Sequence, residues 1–216
     1  MRGVLIALAM LVLAAGCGGS DGATDTTTGA SAECESVDAP GARDPGSNEA
    51  PTMPLAAGKT YTLTFDTSCG PFTVTLDPEL APNTAPSLVA LAEEGYFDDT
   101  IFHRVVPGFV IQGGDPTQSG SGGPGYSTVD VPPSDAAYTR GVVAMAKSGA
   151  EAPGTAGSQF FVVTGADAGL PPEYAIVGEV TAGMDTIERI EALGVPGGDG
   201  PPTQPVVISS VTVTES

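Results

Sequence analysis

The chain has 216 residues, 30 of them glycine and 20 proline, and it carries 26 acidic against 7 basic side chains, a formal net charge of −19. That length fits one domain with appended segments. So acidic a chain lacks the basic patches that hold a nucleic acid or draw a protein onto anionic lipid, which excludes nucleic acid as a partner and charge-driven membrane docking.

Residues 1–16 read as an export signal. Arg2 is the only side-chain charge, and Gly3 to Gly16 are uncharged and mostly apolar. A run of roughly 14 residues is too short to span a bilayer and suits the core of a signal peptide. It ends in Leu13-Ala14-Ala15-Gly16-Cys17, which resembles the lipobox of bacterial lipoproteins, with Ala14 where leucine is more usual. The resemblance implies cleavage before Cys17, lipidation of its thiol, and an extracytoplasmic protein anchored to the bacterial cell membrane through more than one acyl chain. An ordinary signal peptide with a chance cysteine is the alternative.

Residues 17–58 are rich in Gly, Ala, Ser, Thr, Asp and Pro, with hardly an aliphatic core residue. Such a segment cannot bury enough apolar area to offset chain entropy, so a disordered linker is expected. With Cys17 set aside, Cys34 and Cys69 form an even pair, which in an exported protein reads as a disulfide tying the linker to the domain. Two free thiols is the other reading, and the sequence does not decide between them.

The folded part is expected over 59–216. Tyr61, Leu63 and Phe65 alternate with threonines, as do Phe72, Val74 and Leu76, and Thr67-Ser68-Cys69-Gly70-Pro71 lies between. Two period-2 runs across a turn predict a hairpin with one buried face. Asn83-Thr84 can cap a helix through Leu88, Val89, Leu91 and Ala92, stopped at Gly95. Short strands follow at about 101–105, 109–112, 141–145, 160–164 and 175–180, then a helix from Asp185 to Ala192 with Ile187 and Ile190 inward. A last alternating run covers Val206 to Thr214. Many short strands, long Gly/Pro loops and two helices predict an antiparallel barrel, whose closure also removes strand edges.

One stretch stands apart: Phe102-His103-Arg104-Val105-Val106-Pro107-Gly108-Phe109-Val110-Ile111-Gln112-Gly113-Gly114-Asp115. Arg104 sits inside an apolar run, and a part-buried guanidinium requires a partner or a purpose. His103 is the sole histidine. No Ser or Cys accompanies it, so a structural hydrogen bond is expected rather than acid–base work. The Gly-rich runs after Gln112 and at Gly120-Ser121-Gly122-Gly123 have no Lys-Ser/Thr behind them, which excludes a phosphate loop. Asp66-Thr67-Ser68 lacks the second carboxylate an aspartic protease needs. No metal or other cofactor is expected.

The stretch resembles the signature of cyclophilins, the peptidyl-prolyl cis/trans isomerases. Gly141-Val142-Val143-Ala144-Met145-Ala146, Gly157-Ser158-Gln159-Phe160-Phe161 and Glu173-Tyr174-Ala175-Ile176-Val177-Gly178-Glu179-Val180 follow in family order, so the similarity covers nearly all of 60–214. The resemblance implies a mainly β fold, a closed antiparallel cyclophilin-like eight-stranded barrel with two capping helices. It gives Arg104 the central catalytic role, with Phe109, Gln112 and Phe161 completing the set. Val110, Ala146, Lys147, Gln159, Leu170 and Tyr174 fall at substrate-binding positions. Departures are Val110 for methionine, Lys147 for asparagine with a charge that could favour acidic neighbours, and Tyr174 for histidine. Gly169 falls where many members carry a tryptophan that helps bind cyclosporin, which implies weak inhibition by it. The implied partners are proline-containing polypeptides, met by a monomer assisting the folding of exported proteins. A proline-peptide-binding chaperone or scaffold module with little turnover is the alternative.

Overall fold

The computed structural model describes residues 33–216; the expected signal peptide (1–16), Cys17 and residues 18–32 lie outside the described residues. The first two alternating runs form β1 (Tyr61–Thr67) and β2 (Phe72–Leu76), antiparallel, with Leu63 opposite Val74 and Phe65 opposite Phe72. Leu63, Phe65, Phe72 and Val74 are buried, while Thr62, Thr64, Thr73 and Thr75 face the other way and are half-buried. This is the period of two made physical. Further strands are β3 (Thr100–Ile101), β4 (Arg104–Val106), β5 (Val110–Gly113), β6 (Thr128–Val129), β7 (Val142–Met145), β8 (Thr155–Ala156), β9 (Phe160–Val163), β10 (Ile176–Ala182) and β11 (Val207–Glu215).

Nine of these strands make one antiparallel sheet in the order β3-β11-β1-β2-β10-β7-β9-β5-β4, and β6 pairs with β8 apart from it. The two end strands, β3 and β4, are successive in the chain, and Ile101 bridges Asp115 just past β5, so the sheet curls until its edges approach. The mainly β antiparallel fold with two helices is as expected. The strand count differs from eight. The single run expected at 101–105 divides at Phe102-His103, and β6 and β8 are two residues each, too short to show a period.

The helices are α1 (Thr84–Glu93) and α2 (Met184–Ala192). Asn83 stands at the start of α1 but its side chain makes no capping bond. The Asp130 carboxylate does that work from 46 residues away, accepting from the Thr84 N–H at 2.7 Å and the Thr84 hydroxyl at 2.6 Å. Helix α2 begins after Gly183, whose φ is 80°. A Cβ there would lie 2.5 Å from the Pro71 carbonyl and 2.7 Å from the Phe72 Cα, so only glycine fits. Ile187 and Ile190 are fully buried, as their spacing predicts.

Residues 33–58 contain no helix or strand, yet they are not the free linker their composition predicts. A disulfide joins Cys34 to Cys69. The Arg43 guanidinium donates to the carbonyls of Tyr96 (2.7 Å) and Asp98 (2.8 Å), and the backbone N–H groups of Gly46 and Asn48 donate to the carbonyls of Gly123 and Pro124, both at 2.9 Å. This strap is ordered by a covalent link and hydrogen bonds far more than by apolar burial, to which Cys34 and Leu55 add a little against the core. Composition measures only the burial.

Candidate active site

Strands β5, β9 and β7 present apolar side chains on both faces. Ile111, Phe160, Val162, Val143 and Met145 join the main core inside the curl. Their alternating neighbours Val110, Phe161, Val163 and Ala144 form a second cluster with Tyr138, against which Phe109, Ala146, Leu170 and Tyr174 pack half-buried. Phe160 and Phe161 are adjacent in sequence and serve opposite faces. The Phe161 ring meets Tyr174 edge-on, with centroids 5.7 Å apart. Tyr138 was not predicted as part of this patch. It is fully buried, its hydroxyl donating to the Tyr174 carbonyl (2.7 Å) and accepting from the Tyr174 N–H (3.0 Å). It comes from an irregular Pro-rich stretch with no period to betray it.

Strand register brings the polar groups to this patch. Arg104 on β4 lies opposite Gln112 on β5, and Gln112 lies opposite Phe161 on β9. The Arg104 Nη1 donates to Gln112 Oε1 (3.1 Å), the Gln112 amide donates to Gln159 Oε1 (3.0 Å), and the Gln159 amide donates to the Gly122 carbonyl (2.9 Å). The Phe109 ring lies beside the guanidinium, its centroid 5.9 Å from Cζ. Gly122 itself is fixed by Asp115. That fully buried carboxylate accepts from the Thr117 hydroxyl and from the N–H groups of Thr117, Gly120 and Gly122. Burial by itself pushes the Asp115 carboxyl up, but these donors together hold it below the usual range. One line of bonds therefore runs from a buried carboxylate to Arg104.

The partner that a part-buried arginine demands is Asp199, which sequence reasoning missed. Arg104 Nε donates to Oδ1 at 2.6 Å and Nη2 to Oδ2 at 2.9 Å, a bidentate fork. Asp199 rides on the loop after α2, and its neighbour Gly200 is tied back by the Val105 N–H (2.7 Å). The hydrogen bond to Asp199 raises the Arg104 pKa, so the guanidinium stays charged, and the same bond lowers that of Asp199. A guanidinium has five N–H donors. Three are committed to Asp199 and Gln112, which leaves two for a substrate. An acidic residue among glycines and prolines is an ordinary turn signal, so nothing in the sequence singled it out.

Two expectations need correcting. Both ring nitrogens of His103 are buried and find no hydrogen-bond partner among the described residues, so the structural bond expected there is not made among them. Burial, the largest influence, lowers its pKa and keeps it neutral. The Lys147 charge is not offered to substrate. Its side chain is only 3% exposed, with Nζ 3.3 Å from Glu173 and 5.2 Å from the Tyr174 ring centroid. Gly169 is exposed at φ 62°, with open space around it. Beyond Gln112 and Gln159 a cleft of about 770 Å³ opens, walled by Gly120–Ser127 on one side and Ala146–Ser148 on another.

The candidate site is thus an apolar patch on the outer face of a curled antiparallel sheet with a fixed guanidinium at its rim. Residues 62–213 match the family described as "Cyclophilin type peptidyl-prolyl cis-trans isomerase/CLD", and the chain belongs to that family. It is 39% identical over 157 residues to "Peptidyl-prolyl cis-trans isomerase-like 1" of Aspergillus oryzae, covering 71% of this chain and 96% of that protein. To "Probable peptidyl-prolyl cis-trans isomerase A" of Mycobacterium leprae it is 37% identical over 171 residues, covering 71% and 92%. It spans only 27% of the length of "Peptidyl-prolyl cis-trans isomerase-like 2" of Cryptococcus neoformans, at 40% identity. Among solved structures, a cyclophilin type peptidyl-prolyl cis-trans isomerase of Cryptosporidium parvum has a TM-score of 0.65 at 31% identity, covering 72% of this chain and 98% of its own. The same Cryptosporidium parvum protein crystallised in the presence of the dipeptide Ala-Pro gives 0.64 at 30% identity, covering 71% and 98%.

Proposed function

We propose that the protein catalyses cis/trans isomerisation of X–Pro bonds in exported polypeptides, tethered to the membrane through Cys17. The observation that carries the reading is the placement of Arg104 beside the Phe109, Val110 and Phe161 patch, with two N–H donors to spare. An amide rotates over a barrier of about 18–20 kcal/mol set by resonance. Rotation needs no nucleophile and moves no proton. When the bond twists, the C–N double bond is lost and the lone pair localises on the proline nitrogen. The patch holds the ring, and Arg104 donates toward the nitrogen, where charge develops only in the twisted state. An interaction stronger in the transition state than in the ground state is what accelerates the step. The Asp199 fork and the Gln112 bond fix the guanidinium beforehand, so little reorganisation accompanies the twist.

The test is turnover by the wild-type chain on an Ala-Pro peptide, followed by exchange of the cis and trans signals. Interconversion well above the uncatalysed rate supports the reading. Binding without acceleration would instead make the protein a proline-peptide-binding chaperone or scaffold. Tethering is tested by Cys17→Ser, which moves the protein from the membrane to the soluble fraction; unchanged membrane association would contradict it.

A further inference from the structure

We infer that the strap at residues 43–48 is a specificity-setting wall of the peptide groove, built from the chain's own N-terminal segment and clamped by the Cys34–Cys69 disulfide. Pro45 and Gly46 line the cleft that opens past Gln112 and Gln159, facing the opposite wall at Ala146, Lys147 and Ser148. A peptide whose proline rests on Phe161 beside Arg104 must run its neighbours past Gln112, and on that side it meets the strap. The inference rests on the proposed reading only for where the proline sits.

The strap is built in, not laid on. Its Gly46 and Asn48 N–H groups bond to the carbonyls of Gly123 and Pro124, in the loop whose Gly122 carbonyl receives the Gln159 amide. The approach is so close that a Cβ on Gly125 would lie 2.8 Å from the Gly46 carbonyl oxygen, and one on Gly46 would lie 2.9 Å from the Tyr96 ring. Glycine on both sides is therefore required. Upstream, Arg43 grips the Tyr96 and Asp98 carbonyls and its own N–H donates to Pro116, while Gln118 donates to the Pro40 carbonyl at 2.8 Å. Without the strap the cleft has one wall fewer and is an open shelf along Gly123–Ser127. With it, residues flanking the proline lie between two surfaces, one of which presents only backbone, Pro45 and Gly46. Lys147 is paired with Glu173, and Glu151, which also lines the cleft, accepts from the Ser148 N–H, so both charges of that wall are already partnered and shape selects the flanking residue.

The experiment compares affinities of the full chain for Ala-Pro and for peptides extended by three residues on either side. The same titrations are run on Cys34→Ser/Cys69→Ser/Arg43→Ala, which releases the strap. Extension on one side strengthens wild-type binding, and the released variant loses that gain by about tenfold while holding Ala-Pro as before. In the unaltered chain, hydrogen exchange at the Gly46 and Asn48 amides slows when the extended peptide binds and not when Ala-Pro binds, a readout independent of how the variant folds. An extension gain that survives release, or strap amides indifferent to the extended peptide, would overturn the inference. Strap-dependent binding without turnover would overturn the isomerase reading and leave the wall standing; turnover without strap dependence would do the reverse.

Discussion

The two faces of β5 and β9 are built from the same residue types and do different things. On the inner face Phe160 is wrapped by Phe65, Phe97 and Phe102, with centroids between 5.1 and 6.2 Å. On the outer face Phe161 has Tyr138 and Tyr174 on its flanks and Arg104, Gln112 and Gln159 along its rim. An apolar surface completed by its own chain is core. The proposed binding surface is buried as deeply at Phe161 (4% exposed) but is bordered by a fixed charge and by the half-buried Phe109, Ala146 and Leu170. The contrast lies in what surrounds the ring, not in the ring.

Substitutions can break that contrast. Phe160→Ala should have the largest effect on stability, about 3–5 kcal/mol by urea denaturation. Phe161→Ala should cost less stability and show itself as lost peptide affinity; equal destabilisation by the two would blur the distinction between faces. Gly122→Ala comes next. Its Cβ would overlap the Asp115 carboxylate and lie 2.7 Å from Thr117. A cost of about 1–3 kcal/mol and slower turnover are expected, because the Gln159–Gln112–Arg104 line loses its end point. Asp199→Asn keeps the shape and removes the charge. An exposed ion pair is worth about 0.2–1 kcal/mol, so kcat should fall about two- to fivefold with KM little changed; a faster enzyme would mean that Asp199 restrains Arg104 instead of positioning it.

The smallest expected effect is that of pH. No proton moves in the step, and His103 is neutral because burial lowers its pKa, so turnover should be flat across neutral pH. Stability behaves differently. The unfolded chain takes up a proton at the ordinary histidine value of about 6.5, before the folded chain does. Stability should therefore decline as pH falls through that value toward the lower folded one. Asp199, held below its ordinary value by Arg104, acts in the same direction at lower pH: its contribution is present above the ordinary carboxylate range and is lost as pH falls through that range to its lowered folded value. A bell-shaped turnover profile centred near neutrality would contradict the proton-free step.

Much of this was legible in the sequence because it depends on period and local pattern. The hairpin of Tyr61–Leu76 and the burial of Ile187 and Ile190 follow from alternation and helical spacing. What escaped depends on contacts between distant segments that composition cannot encode. Asp130 caps α1 from 46 residues away. Asp199 reaches Arg104 across 95 positions from a Gly/Pro loop. Tyr138 locks Tyr174 from an irregular stretch, and the strap is ordered by backbone hydrogen bonds in a segment with almost nothing to bury. Arg104 was the exception. An arginine in an apolar run announced that it had a partner, though not which one.

The most direct test measures turnover and unfolding of Arg104→Ala side by side. Removing one preorganised donor at a developing charge costs about 10²–10³ in rate, so the account predicts a loss of that size with the denaturation midpoint nearly unchanged. Wild-type turnover in the variant, or a loss explained by unfolding alone, would contradict it.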